Sequence, residues 1–275
     1  MIVRMDEVTT QQHSEPLHAK SVSLGETAGE ETSDPELREM LEAGVHRGHA
    51  KTRNHSSMQP YLYGVRSTVS IIDLVSTREK LQCALEFLSE QAAKGSLILF
   101  VGTRPAARRV LVDIAKRIKM PYCVDRWIGG TLTNFDVIRP RVEHMEALEQ
   151  ERASGGFEKY TKLERLKFDE EIERLRRNFE GLRVLTRRPD IMVVVNVTED
   201  YTAVREGARL KIPVVALADT NSNITGIQYP IPSNDDALPA VRYMLGRIGE
   251  SIEKGQRQMA AKRESPSGNA EVPTA

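Results

Sequence analysis

Three segments of this chain consist almost entirely of apolar residues, and they restrict its possible folds more than any other feature. Their sequences are S-L-I-L-F-V-G at 96–102, P-D-I-M-V-V-V-N at 189–196 and I-P-V-V-A-L-A at 212–218. Short apolar runs of this kind are typical of parallel β-strands that are buried on both faces. Each run therefore predicts a central strand of a sheet that is covered by helices.

Amphipathic segments alternate with these strands. Apolar residues recur at helical spacing in two of them, at Leu81, Leu85 and Leu88 and at Val110, Ile114 and Ile118. Shorter strands are predicted at 69–74 and 121–124, and further helices at about 200–210 and 235–254. This alternation predicts an α/β domain with a parallel sheet and helices on both sides, and right-handed crossovers make it a doubly wound, three-layer domain.

The segment 142–182 shows no strand pattern. Its second half has apolar residues at alternating spacings of four and three, which is typical of a coiled-coil seam, at Phe168, Ile172, Leu175, Phe179 and Leu182. Thr161 and Glu164 can form a capping box at its start. We therefore predict an inserted antiparallel coiled-coil helical hairpin over about residues 139–186, in which Val142, Met145 and Leu148 face the seam.

The two ends of the chain differ in composition from the middle. Residues 1–34 are acidic and poor in aromatic side chains, and residues 256–275 are similarly polar. Both are predicted to be disordered. The α/β domain is predicted at 35–255, and its first helix begins at Pro35.

The formal charge of the chain is zero, but the charges are unevenly distributed. Acids dominate residues 1–35, whereas residues 44–66 contain Arg47, Lys51, Arg53 and Arg66 and no acid. The local field, and not the total, decides where a polyanion docks. A zero net charge therefore does not exclude a nucleic-acid partner, although an ordinary solvated basic surface is the alternative interpretation.

The sequence V-G-T-R-P-A-A-R-R at 101–109 predicts a strand that turns into a helix. Backbone amides at such a helix start can hold an anion, and Arg104 and Arg108 lie one helical turn apart, so both can approach phosphates. The turn suits a nucleotide or an RNA backbone equally well. It is neither a G-x-G-x-x-G motif nor a P-loop, and a plain strand-to-helix turn is the alternative.

A second candidate is D-R-W-I-G-G-T-L-T-N at 125–134, which holds the single tryptophan of the chain. Arg126 can bind a phosphate and Trp127 can stack on a base. The alternative is that Trp127 fills the hydrophobic core, because large aromatic side chains are highly buried on average.

A third candidate is G-V-H-R-G-H-A-K-T-R-N-H at 44–55. Its bases Arg47, Lys51 and Arg53 suit an arm that lies along phosphates. The histidines His46 and His49 have no third ligand at a recognisable spacing, so no metal site is predicted. The D-T-N-S-N sequence at 219–223 follows a strand at the edge where α/β sheets bind ligands, but Asp and Asn are also ordinary loop residues.

No catalytic arrangement is recognisable, since the chain has no G-x-S-x-G or H-E-x-x-H motif. We therefore predict no enzyme activity, no cofactor and no small-molecule substrate. No apolar run reaches about 18 residues, so no membrane span is predicted. Cys83 and Cys123 are expected to be reduced thiols of a cytosolic protein. A nucleotide-binding enzyme of doubly wound fold, using residues 101–109, remains the alternative.

The order of the motifs resembles the bacterial-type S-two family of small-subunit ribosomal proteins. The resemblance covers about residues 36–255 and is carried by L-E-A-G-V-H-R-G-H, L-F-V-G-T, D-R-W-I-G-G-T-L-T-N, A-D-T-N-S-N and I-P-S-N-D-D-A. It implies a flavodoxin-like domain with a protruding hairpin and a cytoplasmic, ribosome-bound structural protein. The implied partners are small-subunit rRNA and neighbouring ribosomal proteins, among them ribosomal protein S-one. Arg47 departs from the family, which usually has Phe there.

Overall fold

The computed structural model describes residues 34–264. Its helices are α1 (Pro35–Glu42), α2 (Leu74–Ala93), α3 (Pro105–Arg117), α4 (Phe135–Ala153), α5 (Lys162–Phe179), α6 (Tyr201–Arg209) and α7 (Leu238–Glu264). Its strands are β1 (Arg47–Ala50), β2 (Leu62–Arg66), β3 (Val69–Ile72), β4 (Ile98–Val101), β5 (Tyr122–Cys123), β6 (Ile191–Val194), β7 (Val214–Ala218) and β8 (Tyr229–Pro232). None of the helices in the described part of the chain is both long and apolar enough to cross a membrane.

A five-stranded parallel sheet with the strand order β5-β4-β6-β7-β8 forms the centre of the domain. The three apolar runs of the sequence are its middle strands β4, β6 and β7, and every residue of these strands is buried. Strands β4 and β6 pair in register from Ile98 with Ile191 to Val101 with Val194. The predicted α/β parallel sheet is confirmed.

Successive residues of each central strand enter two separate cores. Ile98 and Phe100 pack with residues of α2, α3 and α7 on one side of the sheet, whereas Leu99 and Val101 pack with residues of α4, α5 and α6 on the other. This alternation follows from the two-residue period of a strand. The sheet therefore has helices on both sides, as a flavodoxin-like three-layer domain requires.

A second, smaller sheet precedes the parallel one. Its antiparallel strand order is β1-β3-β2, and only β3 was predicted from the sequence. Strands β2 and β3 are joined by Ser67 and Thr68, both of which have positive φ angles, of 48° and 71°. Positive φ at both central positions is the geometry of the tight hairpin turn that matches strand twist. Neither residue is a glycine, so the sequence lacked the usual hairpin signal.

Helices α4 and α5 pack against each other through the predicted apolar positions. The late part of α4 meets the early part of α5, as the Arg152–Asp169 ion pair shows. Thr161 and Glu164 form the predicted capping box at the start of α5. Helix α4 begins at Phe135, so Pro140 lies inside it. That the two helices form a coiled coil protruding from the domain remains a prediction.

The last helix is longer than predicted. The sequence suggested an end near Lys254 and disorder from residue 256, but α7 continues to Glu264. Gly255 allows close packing, since a Cβ atom there would lie 2.2 Å from the carbonyl oxygen of Ser89 in α2. Gln256 donates a hydrogen bond to the carbonyl oxygen of Ile118 at 2.9 Å. These contacts stabilise a polar segment that composition alone predicted to be disordered. The predictions for residues 1–33 and 265–275 lie outside the described residues.

Candidate nucleic-acid interface

The small sheet carries four exposed bases, Arg47, Lys51, Arg53 and Arg66, which we call the small-sheet cations. Arg47 begins β1 and Arg66 ends β2, while Lys51 and Arg53 lie in the 3₁₀ turn that follows β1. Ala50 and Arg66 flank Val69 of β3 from its two sides. The small sheet therefore gathers bases that are up to 19 residues apart in the sequence.

The small-sheet cations have no acidic partners. Within residues 34–264, none of the four forms an ion pair. Tyr63 of β2, which the sequence analysis did not single out, is 71% exposed close to them. Unpaired guanidinium and ammonium groups beside an exposed aromatic ring are the side-chain types that bind nucleic-acid backbones and stack on bases. An aromatic residue on a predicted strand gives no sequence signal of this kind.

Arg104 is placed differently from the prediction. Its Nε donates to Glu199 at 2.8 Å and its Nη1 lies 3.3 Å from Asp235, and it also contacts Asp236. The guanidinium is thus already surrounded by carboxylates, and its side chain is only 23% exposed. In this conformation it is not available to a phosphate, so its predicted role in the interface is corrected to an internal ion pair.

Arg108 is also paired. Its Nη1 donates to Asp125 at 2.9 Å and its Nε donates to the carbonyl oxygen of Thr103. Because the side chain is 43% exposed, it remains at the surface, but with its charge balanced. The backbone amide and hydroxyl of Thr103 donate to the carboxylate of Asp200 at 3.2 and 3.0 Å. A protein carboxylate therefore already occupies part of the predicted anion site at this turn.

The neighbouring residues Arg126 and Trp127 have opposite environments. Arg126 is exposed and forms no ion pair within residues 34–264. Trp127 is 8% exposed and belongs to the core on the α4–α6 side of the sheet. Its ring is not presented to a base, so the stacking interpretation is replaced by the alternative, a core tryptophan.

A buried carboxylate holds the loop after β5. Glu206 of α6 accepts hydrogen bonds from Trp127 Nε1 at 3.1 Å and from the backbone amides of Gly130, Leu132 and Thr133 at 2.8, 2.9 and 3.1 Å. Burial acts to raise the pKa of Glu206, but these donors together hold it below its ordinary value. The loop motif that the sequence indicated as a binding loop is therefore organised around an internal acid, which keeps Arg126 at the surface.

Histidine and carboxylate side chains meet at the carboxyl edge of the parallel sheet. Nδ1 of His49 lies 3.1 Å from Asp219, which follows β7, and Nε2 lies 3.3 Å from Asp236, which follows β8. The hydrogen bond to Asp219 raises the pKa of His49. Burial, and secondarily Asp219, raise the pKa of Asp235 to about 7. The sequence analysis found no third ligand for His49 because these carboxylates are about 170 residues away along the chain.

The chain was compared with known proteins. The family model of ribosomal protein S2 matches residues 40–255. The small ribosomal subunit protein uS2 of Dehalococcoides mccartyi (strain ATCC BAA-2266 / KCTC 15142 / 195) is 38% identical over 239 residues, which cover 87% of this chain and 98% of that protein. Similar proteins are uS2 of Chloroflexus aurantiacus, 40% identical over 83% of this chain and 96% of its own, and uS2c of Rhodomonas salina, 42% identical over 80% and 90%.

These matches span the α/β domain and every motif on which the sequence resemblance was based. The small sheet, the loop held by Glu206 and the carboxyl edge with His49 all lie inside the matched region. This chain belongs to the ribosomal protein S2 family.

Proposed function

We propose that this chain binds rRNA in the small ribosomal subunit chiefly through the small-sheet cations and Arg126. As a member of the ribosomal protein S2 family it is a structural, ribosome-associated component of the small subunit and not an enzyme. The observation that carries the proposal is the contrast between the two basic regions. The bases of the small sheet are exposed and unpaired, whereas Arg104 and Arg108 are paired with acids.

The physical reason is the release of counterions from RNA. Each phosphate that a cation neutralises sets free a condensed counterion, which favours binding at low salt. An arginine that already pairs with a carboxylate must first break that pair, so it contributes less. Arg47, Lys51 and Arg53 have no such cost, because no acid within the described residues holds them.

Two finer statements belong to the same proposal. We propose that the neighbours of this chain in the subunit include ribosomal protein S-one, and that α4 and α5 contact rRNA or a neighbouring protein. The support for both is the family resemblance together with the exposed apolar residues Leu163 and Leu166 on α5, which are 63% and 55% exposed. We further propose a cytoplasmic location, which is where bacterial-type ribosomes work.

The test removes three small-sheet cations together. The variant with Arg47→Ala, Lys51→Ala and Arg53→Ala is added to small subunits reconstituted without the natural protein, over a series of salt concentrations. Incorporation is expected to weaken, and the slope of log affinity against log salt is expected to fall by about 0.7–0.9 for each lost phosphate contact.

A matched control removes the same charge elsewhere. Lys94, Arg187 and Arg257 are exposed bases that each pair with an acid, and their replacement by Ala is expected to leave the salt slope unchanged. If the small-sheet variant and this control incorporate equally well across the salt series, the small sheet is not the interface. Adding Arg104→Ala to the wild-type chain is expected to reduce stability more than the salt slope.

A further inference from the structure

One cluster of side chains is not needed by the proposed rRNA interface. His49, Asp219 and Asp236 each offer a ligand-type atom, and these atoms all lie within 4.8 Å of one another. They come from β1, from the loop after β7 and from the loop after β8. A histidine and two carboxylates from three separate elements are brought together by the fold alone.

We propose that His49, Asp219 and Asp236 form a binding site for a divalent transition-metal ion of the zinc type. An imidazole nitrogen and carboxylate oxygens are ligands that Zn²⁺ accepts, at about 2.0–2.2 Å, with water in the remaining position of an open site. The imidazole favours Zn²⁺ over Mg²⁺ or Ca²⁺, which prefer oxygen ligands only.

Each carboxylate of the cluster has one oxygen held by the protein and one directed at His49. Oδ1 of Asp219 accepts a hydrogen bond from the backbone amide of Thr220 at 2.5 Å, and its Oδ2 faces His49. Oδ1 of Asp236 contacts Arg104, and its Oδ2 faces His49. Partners that fix the second atom of a ligand orient the first, as supporting residues around metal sites do.

The backbone that carries His49 is held in the same way. Its amide donates to the hydroxyl of Thr220 at 2.9 Å. Gly48 permits this approach, since a Cβ atom there would lie 2.3 Å from a side-chain carbon of Thr220. The histidine and the loop after β7 therefore keep their separation without help from the metal, so little ordering is required when an ion binds.

The surrounding charge favours a cation. Asp219 and Asp235 are almost completely buried, at 1% and 0% exposure. Arg104 is shared among Asp235, Asp236 and Glu199, and one guanidinium does not neutralise this set together with Asp219. Buried carboxylates without full compensation are costly. A divalent ion beside His49 would neutralise the remaining negative charge.

The competing explanation is that a proton and not a metal joins the three groups. A protonated imidazole donates from both ring nitrogens, and His49 has a carboxylate near each of them. The two explanations differ in whether the purified chain binds Zn²⁺. The full-length chain is therefore stripped with EDTA, dialysed and titrated with ZnCl₂ in a calorimeter, alongside His49→Ala, Asp236→Asn and the control His144→Ala, which changes an exposed histidine on α4.

The expected result is one Zn²⁺ per wild-type chain, with the same affinity in His144→Ala and at least tenfold weaker binding in His49→Ala and Asp236→Asn. Asp236 is 46% exposed and Asn has the same shape, so this variant decides the question if His49→Ala does not fold. Far-UV circular dichroism checks folding. A wild-type chain that binds no Zn²⁺, or equal binding by Asp236→Asn and wild type, overturns the proposal.

A spectroscopic readout supports the calorimetry. Co²⁺ replaces Zn²⁺ in such sites, and its visible absorption is stronger in a tetrahedral site than in the octahedral hydrated ion. Adding CoCl₂ to the stripped wild-type chain is expected to produce this absorption, which ZnCl₂ removes and Asp236→Asn lacks. A spectrum identical to that of hydrated Co²⁺ counts against the proposal.

Discussion

The indole nitrogen of Trp127 donates a hydrogen bond to the buried carboxylate of Glu206 at 3.1 Å. The same carboxylate accepts three backbone amides and the hydroxyl of Thr133. One acid on α6 therefore holds both the core tryptophan and the glycine-containing loop that follows β5. The loop conformation, and with it the exposed position of Arg126, depends on a residue about 70–80 positions further along the chain.

Replacing Glu206 by Gln tests this dependence. The amide of Gln has one acceptor oxygen, and its NH₂ group would face amides that also donate, so several hydrogen bonds are lost in a buried site. Because each unsatisfied buried group costs about 1–3 kcal/mol, the free energy of unfolding is expected to fall by about 2–5 kcal/mol. Urea denaturation measures it.

Glu170→Gln, on the exposed surface of α5, is the control for the loss of one acid and is expected to change the free energy of unfolding by less than about 0.5 kcal/mol. A Glu206→Gln chain as stable as this control would mean that the loop does not depend on the carboxylate.

Trp127 is predicted to act on stability and not on RNA affinity. Trp127→Phe keeps most of the apolar volume but removes the indole donor, so a loss of about 1–2 kcal/mol in the free energy of unfolding is expected. Affinity for rRNA is expected to stay within twofold, because the ring is buried. Tyr63→Ala is the contrasting variant, for which the opposite result is expected: weaker RNA binding with little change in stability. Urea denaturation and a filter-binding assay with rRNA measure the two quantities.

Much of the fold was predictable from the sequence because its strands are buried on both faces. The runs that became β4, β6 and β7 are apolar at every position, and no other element produces this pattern so clearly. The small sheet was not predicted, because its strands are short and its tight turn is made by Ser67 and Thr68 without a glycine. The end of α7 was missed because its polar residues are held by contacts with α2 and with Ile118.

The candidate site was only partly predictable, and for a different reason. A sequence shows which residues are basic but not which acids face them. Arg104 and Arg53 look alike in the sequence, yet Arg104 meets carboxylates that follow β6 and β8, whereas Arg53 meets none within the described residues. Likewise His49 gains its carboxylates only when the ends of β7 and β8 come next to β1.

Two glycines of α7 provide a matched test of packing against α2. A Cβ atom at Gly255 would lie 2.2 Å from the carbonyl oxygen of Ser89, whereas nothing lies within 4 Å of one at Gly246. Gly255→Ala is therefore expected to lower the free energy of unfolding by about 1–3 kcal/mol through overpacking.

Gly246→Ala is expected to raise the free energy of unfolding by about 0.4–1 kcal/mol, because Ala restricts the unfolded chain and favours helix. Thermal and urea denaturation of both variants give the sign of each effect. Equal stabilisation by both substitutions would show that α7 does not pack closely on α2 at Gly255.

The pH dependence of stability is expected to include a contribution from Asp200. Burial raises the pKa of Asp200 to about 6, from an ordinary value of 3.8, although Thr103 donates two hydrogen bonds to it. A group whose pKa is raised on folding binds its proton more tightly in the folded state. Its ionisation therefore destabilises the fold as pH rises from about 4 to above 6, and the cost at pH 8 is about 3 kcal/mol.

Asp200→Asn removes this titration while keeping an oxygen that accepts from Thr103. The difference in the free energy of unfolding, variant minus wild type, is expected to be more positive at pH 8 than at pH 4.5 by about 2 kcal/mol. Urea denaturation at both pH values measures it. Asp113→Asn, at an exposed position of α3, controls for the loss of a carboxylate and is expected to give the same difference at both. A pH-independent difference for Asp200→Asn would mean that the carboxyl group is hydrated in the folded protein, because burial is what raises its pKa.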